Sequence, residues 1–191
     1  MMPNLGPRFD QALLYASELH RRQVRKGTTI PYIAHLLSVT ALVLEDGGGE
    51  DEAIAALLHD AVEDQGGQAT LAEISRRFGE QVASWVLALS DTDTIPKPPW
   101  RARKEQYFEH LAKASPEVLR ISLADKLHNA RSILEDVRRE GGANWARFKG
   151  GKAGTLWYYR SLADLFQSRL SSPRAAELDR VVAEMEALSN S

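Results

Sequence analysis

The chain has 191 residues, of which 43% are hydrophobic, and its formal net charge is −2. This length predicts one well-buried domain and excludes two ordinary ones. A charge so close to neutral provides no electrostatic drive toward nucleic acid or an anionic membrane, so we expect neither as a partner. The chain has no cysteine, which excludes disulfides and thiolate metal sites and fits a reducing compartment.

No segment alternates polar and apolar residues for long enough to indicate a strand. The predicted fold class is therefore all-α, a single domain over residues 1–191 with about eight or nine helices. Its motif core is expected at residues 20–135, with C-terminal helices at 153–190 packing on it. No stretch approaches the roughly 20 apolar residues of a membrane span, and the N-terminus does not resemble a signal peptide, so we expect a cytoplasmic protein.

A stripe of leucine and alanine predicts a first helix at about residues 9–23. His20 lies near its end, where the helix dipole favours a cation, and is interpreted as structural. Gly27 breaks the helix directly after Arg25 and Lys26. On the residues alone, these two cations could be no more than a solvated basic helix end.

A second helix is predicted at about residues 32–45, and it carries His35 among apolar residues. Taken alone, a histidine in such a position is more often a satisfied core residue than a metal ligand.

Apolar residues at positions 54, 57, 58, 61 and 62 predict one core helix through residue 64. His59 and Glu63 form one i, i+4 pair on its other face, and Asp60 and Asp64 form a second. Three acids and an imidazole on an apolar helix would repel each other and lose solvation at a cost. We therefore predict a bound divalent metal.

Two ligands from one helix do not complete a metal shell, so partners are expected on other helices. His35 is one, and Asp125 is the other, on a helix that begins at Ser115-Pro116. With His59 and Asp60 they give two imidazoles and two carboxylates, a mixed set that favours Mn²⁺ and leaves positions open for water and substrate.

Glu63 and Asp64 lie one helical turn beyond the predicted ligands. A carboxylate that activates water must stand there, so both are predicted to be catalytic. A salt-bridged helix end is the alternative.

The region from residue 91 to 104 contains a proline cluster that prevents helix until Trp100. Lys97, Arg103 and Lys104 are candidate contacts for phosphate, with a solvated basic face as the equal alternative. Farther along, a last amphipathic helix follows Ser172-Pro173, and it could pack within the chain or form a homodimer.

Four segments resemble a known family. In order, RKGTTIPYIAH, AALLHDAVED, FGEQVASWV and LADKLHNAR are similar to the hydrolase domain of the RelA/SpoT alarmone enzymes and their small hydrolase-only relatives, within the HD phosphohydrolase superfamily. The resemblance covers residues 11–133. This sequence departs from the family at Leu36, where the family usually has proline. It also departs in the proline cluster, and that second difference leaves the choice of substrate open.

The resemblance implies a metal-dependent enzyme that removes pyrophosphate from the 3′ position of guanosine polyphosphates in the stringent response. It assigns Arg25 to the base and Lys26 to phosphate, which suits a planar guanidinium and a compact ammonium. Asn129 and Ser132 would also contact the nucleotide. Three alternatives remain: hydrolysis of other nucleotides (adenosine alarmones, the 2′-phosphate of NADPH, nucleoside monophosphates), nucleotide binding without turnover, and a structural protein.

Overall fold

The computed structural model describes residues 5–90, 98–140 and 145–189. These residues form ten helices and no named strand, which confirms the all-α prediction. In chain order the helices are α1 (Pro7–Leu19), α2 (Ile33–Glu45), α3 (Glu50–Leu58), α4 (Ala61–Asp64), α5 (Gly67–Phe78), α6 (Glu80–Leu89), α7 (Trp100–Leu111), α8 (Pro116–Glu140), α9 (Gly151–Arg169) and α10 (Pro173–Ser189). The count is nine if α3 and α4 are taken as one interrupted helix. Among the described residues, no helix combines the length and apolar character of a membrane span.

Helix α1 ends four residues earlier than predicted. His20 caps it through its backbone N–H, which donates to Ala16 O, and Gln23 N then donates to His20 O at 3.0 Å. An isolated antiparallel bridge between Val24 and Pro31 follows. Arg25 and Lys26 therefore lie in a turn, and their interpretation as a basic helix end is wrong.

The described residues divide into two compact units. Unit 1 comprises Met1–Asp93 with Ser115–Ser122, and unit 2 comprises Thr94–Ala114 with Leu123–Ser191. Unit 1 thus contains α1 to α6 and the first turns of α8, whereas α7, the rest of α8, α9 and α10 belong to unit 2.

Helix α3 is the centre of unit 1. Every residue from Glu52 to Leu58 is buried, because the helix packs against α1, α2 and α6 on different sides. A helix whose side chains are apolar on nearly every side is stable only when it is buried. Burial of these side chains is therefore a main driving force for folding of the unit.

One polar residue of α3 is also buried. The Glu52 carboxylate caps its own helix by accepting Gly49 N–H at 2.9 Å, and it forms an ion pair with the Arg120 guanidinium. Arg120 also lies 3.8 Å from Asp46. This pairing fixes the beginning of α8 within unit 1.

Thr70 and Glu73 have the sequence spacing of a capping box, but they lie inside α5 and do not cap it. Helix α5 begins at Gly67, three residues before Thr70, whose hydroxyl donates to Gln65 O at 2.5 Å. Glu73 instead pairs with Arg76 and Arg77, its neighbours one helical turn away.

Unit 2 is held together by aromatic and charged contacts. Trp100 and Phe108 of α7 pack against Trp157 and Tyr158 of α9 with ring centroids 5.5 to 6.2 Å apart. Arg160 of α9 binds acids on α10, including Asp179 at 2.5 Å. Trp157 and Tyr158 of α9 thus serve as packing residues.

We expect Arg120→Met to lower the free energy of unfolding, because it leaves the buried Glu52 carboxylate without its cation. The loss should be about 3 kcal/mol, near the lower end for a broken buried pair, since the Arg120 side chain is 25% exposed. Chemical denaturation measures it. Arg76→Met is the matched control; it removes an exposed pair and should leave the free energy of unfolding nearly unchanged. Equal losses in the two variants would contradict the assignment.

Candidate metal centre and substrate site

His59 interrupts the helix that was predicted to be continuous through residue 64. Its Nδ1 lies 2.8 Å from Ala56 O, the carbonyl that would accept the Asp60 N–H in an unbroken α-helix. Because a carbonyl only accepts hydrogen bonds, Nδ1 carries the proton and Nε2 is the nitrogen with a lone pair available to a metal. The prediction of one continuous helix is therefore wrong, and α4 begins after Asp60.

Within unit 1 the structure brings His35, His59 and Asp60 together. Asp60 Oδ2 lies 3.0 Å from His59 Nε2 and 3.7 Å from His35 Nε2, and the two imidazole rings meet edge to face at 5.3 Å. Both histidines are buried, with exposed fractions of 1% and 3%. A carboxylate and an imidazole lone pair repel each other at this distance unless a proton or cation lies between them. The cluster could hold a metal ion.

Tyr32 was not predicted as a site residue, yet it lies against several of the site's side chains, including the His35 ring at 5.5 Å. Its hydroxyl donates to Asp60 Oδ2 at 2.5 Å, and its ring stacks on His20 at 5.2 Å. The Arg25 guanidinium lies 6.0 Å from the centre of the same ring. In the sequence, the only indication of a role for Tyr32 is its position in the segment PYIAH, three residues before His35. His20, predicted as an ordinary helix end, is 2% exposed and belongs to the surroundings of the cluster.

The turn that carries Arg25 and Lys26 is ordered by its own hydrogen bonds. Arg25 N donates to Ile30 O at 2.8 Å, and the Thr28 hydroxyl donates to Arg25 O at 2.9 Å. Gly27 has a φ of 75°, which a glycine adopts without steric cost. Arg25 is half-buried and Lys26 is exposed, so the turn presents an anchored guanidinium beside a solvated ammonium.

Glu63 and Asp64 both lie on α4, and both are exposed. Asp64 Oδ2 accepts a hydrogen bond from Gln23 Nε2 at 2.7 Å. Partial desolvation by the surrounding protein raises the pKa of Asp64, and the negative charges of Asp60 and Glu63 raise it further, against the lowering effect of Gln23. A carboxyl group with a raised pKa is a stronger base than an ordinary aspartate.

Asp125 lies in unit 2 and is buried. Lys126 Nζ donates to its Oδ2 at 2.6 Å, and Asn129 Nδ2 donates to its Oδ1 at 2.6 Å. Desolvation alone would lower the pKa of Lys126, but Asp125, Tyr107 and Tyr158 raise it well above the ordinary value. Asp125 is thus a paired acid.

The remaining predicted substrate contacts are on α7 and α8. The Ser132 hydroxyl donates to His128 O at 3.1 Å. Arg103 and Lys104 are half-buried, and Lys104 Nζ lies 5.1 Å from the ring centre of Tyr158. Neither belongs to a fully solvated face. Lys97 lies outside the described residues.

Tyr32→Phe is expected to weaken metal binding by about ten- to a hundredfold, the usual effect of losing a group that orients a ligand. The variant removes the donor to Asp60 while leaving the ring in place. Calorimetric titration of metal-free protein with Mn²⁺ measures the change. Tyr15→Phe is the control, since Tyr15 lies against Phe78 instead, with ring centroids 6.2 Å apart. Unchanged affinity in Tyr32→Phe would remove Tyr32 from the site.

Comparison with known proteins identifies the family. The model of the HD domain matches residues 12–156. The guanosine-3′,5′-bis(diphosphate) 3′-pyrophosphohydrolase MESH1 of Xenopus tropicalis is 39% identical over 139 residues, which cover 71% of this chain and 73% of that protein. The human MESH1 is 38% identical over 128 residues, covering 64% of this chain and 68% of its own length.

A solved structure gives the same result. A metazoan ortholog of SpoT that hydrolyses ppGpp superimposes with a TM-score of 0.76 at 26% identity, covering 95% of this chain and 97% of that one. The resemblance to the RelA/SpoT hydrolases is confirmed, and the chain belongs to the HD domain family as a relative of the MESH1 hydrolases.

Proposed function

We propose that this protein is a metal-dependent enzyme that hydrolyses guanosine-3′,5′-bis(diphosphate), releasing pyrophosphate and leaving a 3′-hydroxyl. The similarity to MESH1 over 73% of that protein's length carries the proposal. It is supported by the His35, His59 and Asp60 cluster, whose facing nitrogen and oxygen atoms could share a bound cation. A water molecule adds to the phosphorus, and the bond from that phosphorus to the 3′-oxygen breaks.

The metal is held by His35, His59, Asp60 and Asp125 in this proposal, and Mn²⁺ is the ion that best suits two imidazoles and two carboxylates. When bound, such an ion polarises a phosphate oxygen and lowers the pKa of water. His59 is already in the tautomer that offers Nε2, because Nδ1 donates to Ala56 O.

Glu63 and Asp64 act on the water in this proposal. One carboxylate orients the molecule and the other accepts its proton, which requires a base positioned within hydrogen-bond reach of the reacting atom. Both are exposed on α4 directly after Asp60, so substrate and solvent can reach them. The raised pKa of Asp64 favours it as the group that accepts the proton.

Arg25 and Lys26 hold the nucleotide in this proposal. The ordered turn fixes the Arg25 backbone, and the guanidinium, which lies near the Tyr32 ring, stacks on the base in this proposal. The exposed ammonium of Lys26 contacts phosphate. Asn129, Ser132, Arg103, Lys104 and Lys97 are proposed as further contacts to the sugar, base and phosphates.

Both units belong to one catalytic domain in this proposal. The HD domain match at residues 12–156 includes parts of unit 1 and unit 2, and α8 runs through the boundary as one helix. We further propose that the reaction takes place in the cytoplasm. A chain without cysteine fits this reducing compartment, and the proposed substrate is a nucleotide.

We expect the purified protein with Mn²⁺ to release pyrophosphate from guanosine-3′,5′-bis(diphosphate). A screen with adenosine alarmones, NADPH and nucleoside monophosphates, measuring pyrophosphate and orthophosphate separately, determines the substrate. Orthophosphate from NADPH or monophosphates would instead indicate another HD phosphohydrolase. Tight binding of the alarmone without any product would indicate a nucleotide-binding module.

Glu63→Gln tests the catalytic assignment. It keeps the size of the side chain and removes its charge, so kcat should fall by about a hundredfold or more, since general acid-base groups contribute about 10²- to 10⁴-fold. Glu18→Gln makes the same change on the exposed surface of α1 and should leave kcat unaltered. A Glu63→Gln variant with full kcat would exclude Glu63 from proton transfer.

Removal of the metal should abolish turnover without unfolding the protein. After chelation and dialysis, Mn²⁺ should restore pyrophosphate release better than Mg²⁺ or Ca²⁺, because those ions prefer all-oxygen shells. Asp125→Asn should bind Mn²⁺ more weakly in calorimetry. Full activity in metal-free protein, verified by metal analysis, would refute the metal assignment.

A further inference from the structure

Gln23 joins the end of α1 to the end of α4 through its side-chain amide. Nε2 donates to Asp64 Oδ2 at 2.7 Å. Oε1 accepts a hydrogen bond from Gln65 Nε2 at 2.6 Å, and His20 Nδ1 lies 2.7 Å from the same oxygen. Both polar atoms of the amide are therefore hydrogen-bonded.

The partners of this amide determine its orientation. A carboxylate only accepts hydrogen bonds, so the amide group facing Asp64 must be the NH₂. The opposite atom is then the oxygen, which requires that His20 Nδ1 carries the proton. His20 is 2% exposed and stacked on Tyr32 at 5.2 Å, so it is held in place by packing. A buried ring thus fixes the amide, and the amide fixes the exposed carboxylate.

Asp64 needs such a restraint more than a residue in the middle of a helix would. It is the last residue of α4, a helix of only four residues, and its side chain is exposed. So short a helix has little stability of its own. A neutral donor restrains the carboxylate without cancelling the charge that a base requires, whereas an arginine or lysine would pair with it.

We propose that Gln23 is a positioning residue, which holds the Asp64 carboxylate in the orientation that accepts a proton from the attacking water. His20 and Gln65 support it by fixing the amide. This inference rests on the proposed function, because it assigns Gln23 to a step of that reaction. Gln23 does not touch the substrate, and it acts through Asp64.

The test compares Gln23→Met with wild type in steady-state kinetics with Mn²⁺. Methionine keeps the length of the side chain and removes both polar atoms. We expect kcat to fall by about ten- to a hundredfold, the range for groups that orient catalytic residues, while KM for the nucleotide and the affinity for Mn²⁺ stay unchanged. An unchanged kcat would overturn the proposal. So would equal loss in Gln68→Met, which alters an exposed glutamine of α5.

Gln23→Glu removes the N–H donor and keeps the shape of the side chain. It also serves as the second variant if Gln23→Met does not fold. It is isosteric and keeps oxygens that accept from His20 and Gln65, but it presents no N–H to Asp64. We expect kcat to fall at least as far as in Gln23→Met. Wild-type kcat in this variant would show that the donor is not needed and would overturn the proposal.

A double variant tests whether Gln23 acts through Asp64. In single-turnover measurements, Gln23→Met should have no further effect on the rate in an Asp64→Asn background, because the two side chains form one functional pair. Additive losses would mean that Gln23 acts by another route, and the proposal would fail.

Crystal structures distinguish failure of this inference from failure of the proposed function. If the wild type releases no pyrophosphate, the proposed reaction is wrong, but the contact can still be examined. We expect the Asp64 carboxylate to face Gln23 in the wild type and to turn away in Gln23→Met at the same Mn²⁺ loading. A carboxylate that keeps its orientation in the variant would overturn the positioning role whatever the reaction.

Discussion

The hydrogen bond from His59 Nδ1 to Ala56 O is the interaction on which the metal cluster depends. It satisfies a carbonyl in the core that would otherwise cost about 1–3 kcal/mol as an unpaired buried acceptor. At the same time it ends α3, so that Asp60 leaves the helix and its carboxylate comes to within 3.0 Å of His59 Nε2. The same bond selects the tautomer that presents Nε2. A helix break, a ligand position and a protonation state thus follow from one contact.

Three carboxylates of the candidate site share one kind of support. Asp60 accepts from the Tyr32 hydroxyl, Asp64 from the Gln23 amide, and Asp125 from the Asn129 amide. The tyrosine and amide donors are neutral, so at Asp60 and Asp64 they restrain the orientation of the acid while leaving its charge available to a cation or a proton. Asp125 differs, because it is also paired with the Lys126 ammonium.

The fold class follows from helical periodicity, which is encoded by local spacing. The grouping of His35 with His59 and Asp60 follows from the order of the motifs in the resemblance, since the residues lie on separate helices. The helix break at His59 does not, since periodicity continues through residue 64 and only the side-chain bond to Ala56 reveals it. Gln23 and Asp64 are 41 residues apart, and no spacing rule joins an amide in a turn to an acid so distant. In the sequence, the seven residues RKGTTIP similarly indicate only a loop. The hydrogen bonds in the structure show that the segment is an ordered turn.

The ion pair between Lys126 and Asp125 would affect how the protein binds and releases a metal ion. The Lys126 ammonium lies 2.6 Å from Asp125 and so supplies a resident positive charge to a buried acid. Where Asp125 would serve as a ligand, a metal ion and the Lys126 ammonium would compete for the same carboxylate. The buried acid therefore has a balancing positive charge even when no metal is bound.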